Sequence, residues 1–251
     1  LPDTAELALI EQVELDPAIK QPSGIWSLDD GSWMLITDQA EMIKLDESFN
    51  ITETVDIEFD SINCNQGCTE AIIGGTNEFY ALADNGLIGH FAKTDNAYSL
   101  VQEFKITVND DTGSPYGYSG MARNNATGEF YLIPDQKGED QEDKLITLNS
   151  DFSVKSVQTI TVAEEIEESI YTYDAQGVHY SQGHVFVLSE KYTKVLQLTL
   201  DGEIVEVIDL SEEDVRLPSD LAIKDGLFYI IGDHENHEAV PPISIFEIDD
   251  D

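Results

Sequence analysis

Five copies of one short unit run through nearly the whole of this chain, and a chain built in that way folds as a repeat architecture. In Gln176 to Leu200, QGVHYSQGHVFVLSEKYTKVLQLTL, a small residue and a short apolar run lead to a turn at Ser181-Gln182-Gly183. An apolar strand, Val185 to Leu188, then runs toward an acid, Glu190, and a further strand follows. The same order recurs in PSGIW…SWMLITD (Pro22 to Asp38), TEAII…EFYALAD (Thr69 to Asp84), YSGMA…EFYLIPD (Tyr118 to Asp135) and PSDLA…LFYIIGD (Pro218 to Asp233). Taking Ser23, Glu70, Ser119, Gln176 and Ser219 as equivalent positions, successive copies lie 43 to 57 residues apart. A period of roughly 40–50 residues with about four short strands per period makes each repeat one blade of a β-propeller. The expectation is an all-β chain, a five-bladed β-propeller, forming a single domain over residues 1–251.

The blades fall at about 22–60, 69–108, 118–162, 176–210 and 218–248. Leu7 to Leu15, LALIEQVEL, has strand character but precedes the first repeat, whereas the fifth repeat ends in ISIFEI (Ile243 to Ile248) and lacks a fourth strand. The two shortages match, so the N-terminal strand is expected to close the ring as the outer strand of the last blade, removing an open edge. Thr161 to Ser169, TVAEEIEES, is the one stretch that reads as a short helix, with acids near its start.

Lys plus Arg is 12 and Asp plus Glu is 51, a formal net charge of −39. Such a surface repels nucleic acid and anionic lipid and favours cations and basic partners. It also suits a salty medium that screens self-repulsion, in which case solubility alone accounts for it. No apolar run reaches 18 residues, so no membrane span is expected. The chain opens at Leu1, as a processed form with its signal removed would. The only cysteines, Cys64 and Cys68 in CNQGC, leave two readings open: a small-loop disulfide in an oxidising compartment, or two free thiols. With no nearby His they make a poor zinc site.

In an up-and-down blade the second strand returns to the end at which the first began, and the connections between blades lie there too. The turns at the other end (LDDGS, GGTNE, DESFN, NSD, DGE) are short. The long connections, DQKGEDQED (Asp135 to Asp143), DHENHEAVPP (Asp233 to Pro242), Asp60 to Cys68, Val108 to Tyr118 and Val162 to Asp174, share one face, which is therefore the expected binding face. The acid at or just beyond the end of each second strand arrives at the same face: Asp38, Asp84, Asp135, Glu190 and Asp233. Glu70 and Asp220 enter it on first strands. Carboxylates converging on a channel mouth suit a hard, oxygen-liganded cation, Ca²⁺, and these seven residues are its candidate ligands. The alternative is that each acid caps its own turn through backbone N–H groups.

Other chemistry is sparse. GxSxG, HExxH, a P-loop and GxGxxG are all absent. Asp233-His234-Glu235-Asn236-His237-Glu238 is the densest cluster of ligand-type residues, in a loop and without the helical HExxH spacing. His90, His179 and His184 read as structural, and Trp26, Trp33 and the repeated Phe-Tyr pairs as blade packing. Tyr116, Tyr118, Tyr171 and Tyr173 precede inner strands on the long-loop face, as groove lining or as packing.

The successive openings PSGI, TEAI, YSGMA, AQGVH and PSDLA, each followed by an apolar strand with an acid at its end, and by strands such as KVLQLTLDGEIVEVIDL, resemble the SdiA-regulated (YjiK-like) family of bacterial envelope proteins over roughly Gln21 to Ile248. The resemblance implies a propeller, an extracytoplasmic location (periplasm, cell envelope or secreted), and kinship with NHL-like and phytase-like propellers. Openings in that family often read acid-Gly-apolar-Ala. Here only Glu70 keeps the acid at that position, which moves the expected cation site to the strand-two acids.

Two function classes follow. One is a non-enzymatic binding module whose acidic face takes Ca²⁺ and recruits a protein or small-molecule ligand. The other is a Ca²⁺-dependent hydrolase of phytase-like or lactonase-like type. An anionic phosphoester needs cationic clamps, and the mouth offers only the scattered Lys20, Lys137, Lys144, Lys191, Lys194 and Arg216, so the binding module is the stronger expectation.

Overall fold

Apolar runs of five to nine residues, punctuated by Asp, Asn and Gly turns, become strands throughout the molecule. The computed structural model describes residues 5–64, 68–110, 115–135, 143–162, 175–190, 192–210, 215, 217–232 and 242–249. The first strand, β1 (Ala5–Val13), precedes four-strand units. The first unit is β2 (Pro22–Ser27), β3 (Trp33–Thr37), β4 (Glu41–Leu45) and β5 (Ile51–Asp56). The second is β6 (Thr69–Gly74), β7 (Glu78–Ala83), β8 (Leu87–Thr94) and β9 (Ala97–Lys105). The third is β10 (Gly117–Arg123), β11 (Phe130–Asp135), β12 (Lys144–Leu148) and β13 (Val154–Thr159), followed by the two-residue β14 (Thr161–Val162). The fourth is β15 (Ala175–Ser181), β16 (His184–Ser189), β17 (Lys194–Leu198) and β18 (Glu203–Asp209). The last unit has β19 (Pro218–Lys224), β20 (Leu227–Gly232) and β21 (Ile243–Asp249).

The first three units are separate four-stranded antiparallel sheets in sequence order. The fourth and last share one nine-stranded sheet, ordered β15-β16-β17-β18-β1-β21-β20-β19 with β14 beside β18. β1 pairs antiparallel with β21 from Glu6↔Asp249 to Val13↔Ile243, filling the place for which the last unit has no strand of its own. Its first residues also meet β18 in parallel, Ala5↔Ile208 and Glu6↔Asp209, which stitches the two units together.

The first strands pack on one another in a closed circuit: β2 on β6, β6 on β10, β10 on β15, β15 on β19, and β19 back on β2. The core lies between adjacent units. One cluster joins Met34 and Ile36 to Ile72, Phe79 and Phe130, a second joins Tyr131 and Leu145 to Val178 and Leu196, a third joins Leu188 and Val195 to Leu221 and Phe228, and a fourth joins Ile231 and Ile243 to Trp33 and Leu35. Strands caught between two neighbours are buried on both faces, which is why WMLIT of β3 is apolar nearly end to end. The outer β5 alternates half-buried and exposed residues instead.

Two departures from the sequence reading are local. Thr161 and Val162, expected to open a helix, form β14 and pair in parallel with Glu203 and Ile204 at the edge of β18. Here a free strand edge outweighs the weak helical preference of a β-branched pair. The rest of the expected helix, 163–169, lies outside the described residues. β5 and β9 end at Asp56 and Lys105, short of the blade ends expected near 60 and 108, because Ile57 and Ile106 turn inward to bond the Ala40 and Gly86 carbonyls.

Candidate functional site

At the axis of the circuit, all five first strands carry a register shift against their partners: between Pro22 and Gly24, Thr69 and Ala71, Tyr118 and Gly120, Ala175 and Gly177, and Pro218 and Asp220. The bulged residues are Ser23, Glu70, Ser119, Gln176 and Ser219, the positions equated by the repeat. A bulge turns one side chain out of the pleat. At three of them the hydroxyl donates to the opening of the next unit: Ser23 Oγ to the Thr69 carbonyl at 2.6 Å, Ser119 Oγ to Ala175 at 2.7 Å, and Ser219 Oγ to Pro22 at 3.1 Å. One residue on, the first strands nearly touch. A Cβ on Gly24 would lie 3.0 Å from the Ala71 Cα, and one on Gly120 2.9 Å from the Gln176 carbonyl oxygen.

Four of the five units place Gly or Ala at that tight layer; the last places Asp220. Its carboxylate accepts the backbone N–H of Ile25 on β2 at 2.8 Å, together with those of Val178 on β15 and Leu221 on its own strand. A Cβ on Gly177 would lie 2.5 Å from Asp220 Oδ1, so the small residue opposite makes room for the acid. Burial pushes the Asp220 carboxyl well above its ordinary value, against the pull of the three amides. Close by on β15, His179 is buried with its ring 5.7 Å from that of Trp26. Burial draws the imidazole down to about 4, opposed by a backbone hydrogen bond with Ile223, and Nδ1 has no hydrogen-bond partner among the described residues.

The other candidate ligands divide by position. Asp38 and Asp84 directly follow β3 and β7, and Glu190 directly follows β16. Their backbones latch the units: Asp38 and Asp84 donate to the Gln21 and Cys68 carbonyls, and their own carbonyls accept from Cys68 and Tyr118 of the next unit. Asp84 is exposed, while Asp38, Glu190 and the bulged Glu70 are half-buried. Asp135 ends β11 opposite Gly117; its side chain, and Asp233 with the whole His234–Glu238 cluster, lie outside the described residues. Among the described residues no three His, Cys, Asp or Glu side chains come together as a group able to hold a metal ion.

Acids that cap turns do occur, at the short-turn end. Asp30 accepts from Ser32, Asp46 from Ser48 and Asn50, and Asp151 from Ser153, and these hydrogen bonds hold all three carboxyls below their usual value. Of the scattered cations at the mouth, Lys144 donates to Thr159 and Lys194 pairs with Asp209, while Lys137, Lys191 and Arg216 are outside the described residues. Tyr116 and Tyr118 are buried packing residues, and burial pushes the Tyr118 phenol up to about 12. Tyr171 and Tyr173 are not among the described residues. His90 stacks on Tyr80 and meets Glu78. Cys64 and Cys68 form a disulfide with Cα atoms 5.2 Å apart. No described helix is long and apolar enough to cross a membrane.

What sequence reading missed is the trio of amides facing Asp220. The signal was present, since PSDLA puts an acid where the other openings have Gly or Ala.

A family model described as SdiA-regulated matches residues 8–229. No curated protein matches the chain. Among solved structures, the glutaminyl cyclase of Myxococcus xanthus is similar over 100% of both chains, at 14% identity and a TM-score of 0.67. The PQQ-bound aldose sugar dehydrogenase of Streptomyces coelicolor is similar over 99% of both, at 13% and 0.62. A luciferin-regenerating enzyme is similar over 96% of this chain and 95% of its own, at 9% and 0.55. At such identities the likeness is one of fold, and with four-stranded sheets as blades that fold is an all-β propeller.

Proposed function

This chain belongs to the SdiA-regulated family, and from that premise we propose that it is an extracytoplasmic, non-enzymatic binding module. Its five blades form a ring closed by β1, and its long-connection end recruits a protein or small-molecule ligand with the help of Ca²⁺. The closed circuit of first strands and the β1–β21 pairing support the five-bladed count. The Cys64–Cys68 bridge supports an oxidising compartment, where disulfides persist.

The close approach of the first strands and the commitment of Asp220 to backbone amides carry the reading. Propeller chemistry in a channel needs an open, polar cavity with a reactive group free to act. Here the Ser-Gly layer brings neighbouring backbones into contact, and Asp220, the acid within it, is committed to three amides. A carboxylate so held ties first strands together and is poorly placed to bind a cation, because amide N–H groups offer positive charge to whatever it faces. That leaves the end of the molecule as the functional surface, with Asp38, Asp84, Asp135, Glu190 and Asp233 as the oxygen donors for a hard cation.

A turnover screen separates this from the hydrolase alternative. With Ca²⁺ present, the protein is expected to leave a panel of phosphoesters and lactones unhydrolysed. Turnover that disappears in Asp38→Asn and Asp84→Asn would instead make those acids part of a catalytic metal site and replace the binding module by an enzyme.

A further inference from the structure

The seam where the first and last units meet holds a cavity of about 570 Å³ at the short-turn end, away from the long connections. Trp33 and Phe49 of the first unit and Tyr229 of the last form its aromatic wall, with Trp33 and Tyr229 ring centroids 4.4 Å apart and Trp33 and Phe49 5.4 Å apart. Phe49 reaches this wall because its turn residue adopts a left-handed φ of 62°, which turns the ring back over β3. Lys224 already lies over Trp33, with Nζ 4.9 Å from the ring centroid, and donates to the Gly31 carbonyl at 3.1 Å. An ammonium on that wall is therefore accommodated by this chain itself.

Around the aromatic wall the rim is acidic. Glu11 comes from β1, Asp29 and Asp30 from the β2–β3 turn, Glu47 from the β4–β5 turn, and Asp225 from the β19–β20 turn, all five exposed. None of the five forms an ion pair with a described residue. Asp225 and Glu11 stand close enough to Tyr229 to raise its phenol further, beyond the effect of burial. A void of this size accepts a small organic molecule. Five carboxylates against one ammonium select a cation, and an aromatic wall favours an organic cation over a hydrated metal ion.

We propose that the seam cavity between the first and last units is a binding site for an aliphatic polyamine, whose ammonium groups meet the Glu11, Glu47 and Asp225 carboxylates while its methylene chain lies along Tyr229 and Phe49. The site depends on ring closure, since Glu11 comes from the strand that completes the last unit. It is independent of the cation proposed for the opposite end.

Calorimetric titration of the full chain with spermidine at fixed ionic strength tests it, with Mg²⁺ as the inorganic cation. The expected result is saturable one-to-one binding of spermidine that excess Mg²⁺ does not reproduce. Glu11→Gln combined with Asp225→Asn weakens it by about tenfold or more, as does Tyr229→Leu, whereas Asp56→Asn combined with Glu58→Gln, which removes two exposed charges elsewhere on the first unit, leaves it unchanged. Non-saturable heats, equal heats with Mg²⁺, or equal weakening by the two charge-neutralised pairs would each overturn the site, reducing the effect to attraction by overall charge. Both acid pairs are exposed, so these variants keep the fold in which the comparison is made.

Discussion

Asp220 and His179 sit near the axis, and burial drives each toward its neutral form, so they respond oppositely to pH. A raised carboxyl in the folded state contributes most below the ordinary value of 3.8 and loses that contribution as pH rises toward its folded value. A lowered imidazole contributes fully above 6.5 and loses its contribution as pH falls toward about 4. Each is best read as a difference from a variant, because the many surface carboxylates shift every curve together. The stability of the native chain relative to Asp220→Asn should decline as pH rises from about 4. Relative to His179→Phe, it should decline as pH falls from about 6.5 to about 4. Denaturant melts across that range check both, and curves parallel to the native protein's would contradict the assignment. Asp220→Ala, which strands three amides, should cost about 3 kcal/mol. At this scale the sequence revealed that PSDLA is the odd opening, but not what the acid faces, since Ile25 comes from the first repeat and Val178 from the fourth.

The bulge is the device that turns five similar strands into a ring. It places Ser23, Ser119 and Ser219 so that each hydroxyl bridges to the next unit, while Gly24, Gly120 and Gly177 let the backbones close in behind. Ser119→Ala should therefore cost about 1 kcal/mol, the worth of one buried hydrogen bond. Gly177→Ala should cost about 3 kcal/mol, because its methyl would strike the Asp220 backbone as well as its carboxylate. Chemical denaturation ranks the two, and the reverse order would mean that the hydroxyl bridges, not the close approach, limit the ring. The period-two and continuous apolar runs made nearly all strands legible in advance, as did the unmatched LALIEQVEL and ISIFEI. The pairing of Thr161 and Val162 with β18 was not legible, because it depends on which edge lies nearby and not on the residues themselves.

As a whole, the molecule combines a closed circuit of packed sheets with a charge of −39, so its stability should rise as salt screens the surface. Moving from about 10 mM to about 500 mM NaCl should raise the melting temperature by about 3 °C or more. A flat response would mean that the acids are arranged so as not to repel. The repeat made the propeller legible because self-similarity survives in sequence. The seam cavity was not legible, because its walls come from the two ends of the chain and meet only once the ring closes. Calorimetric titration of metal-free protein with Ca²⁺ at fixed ionic strength, paired with melting in EDTA and in Ca²⁺, decides whether the long-connection end holds a cation. The expected result is stoichiometric binding that raises the melting temperature and is lost in Asp38→Asn with Asp84→Asn. Heats no greater than those Na⁺ produces, with identical melting in EDTA and Ca²⁺, would contradict it and leave those acids as a solubilising surface.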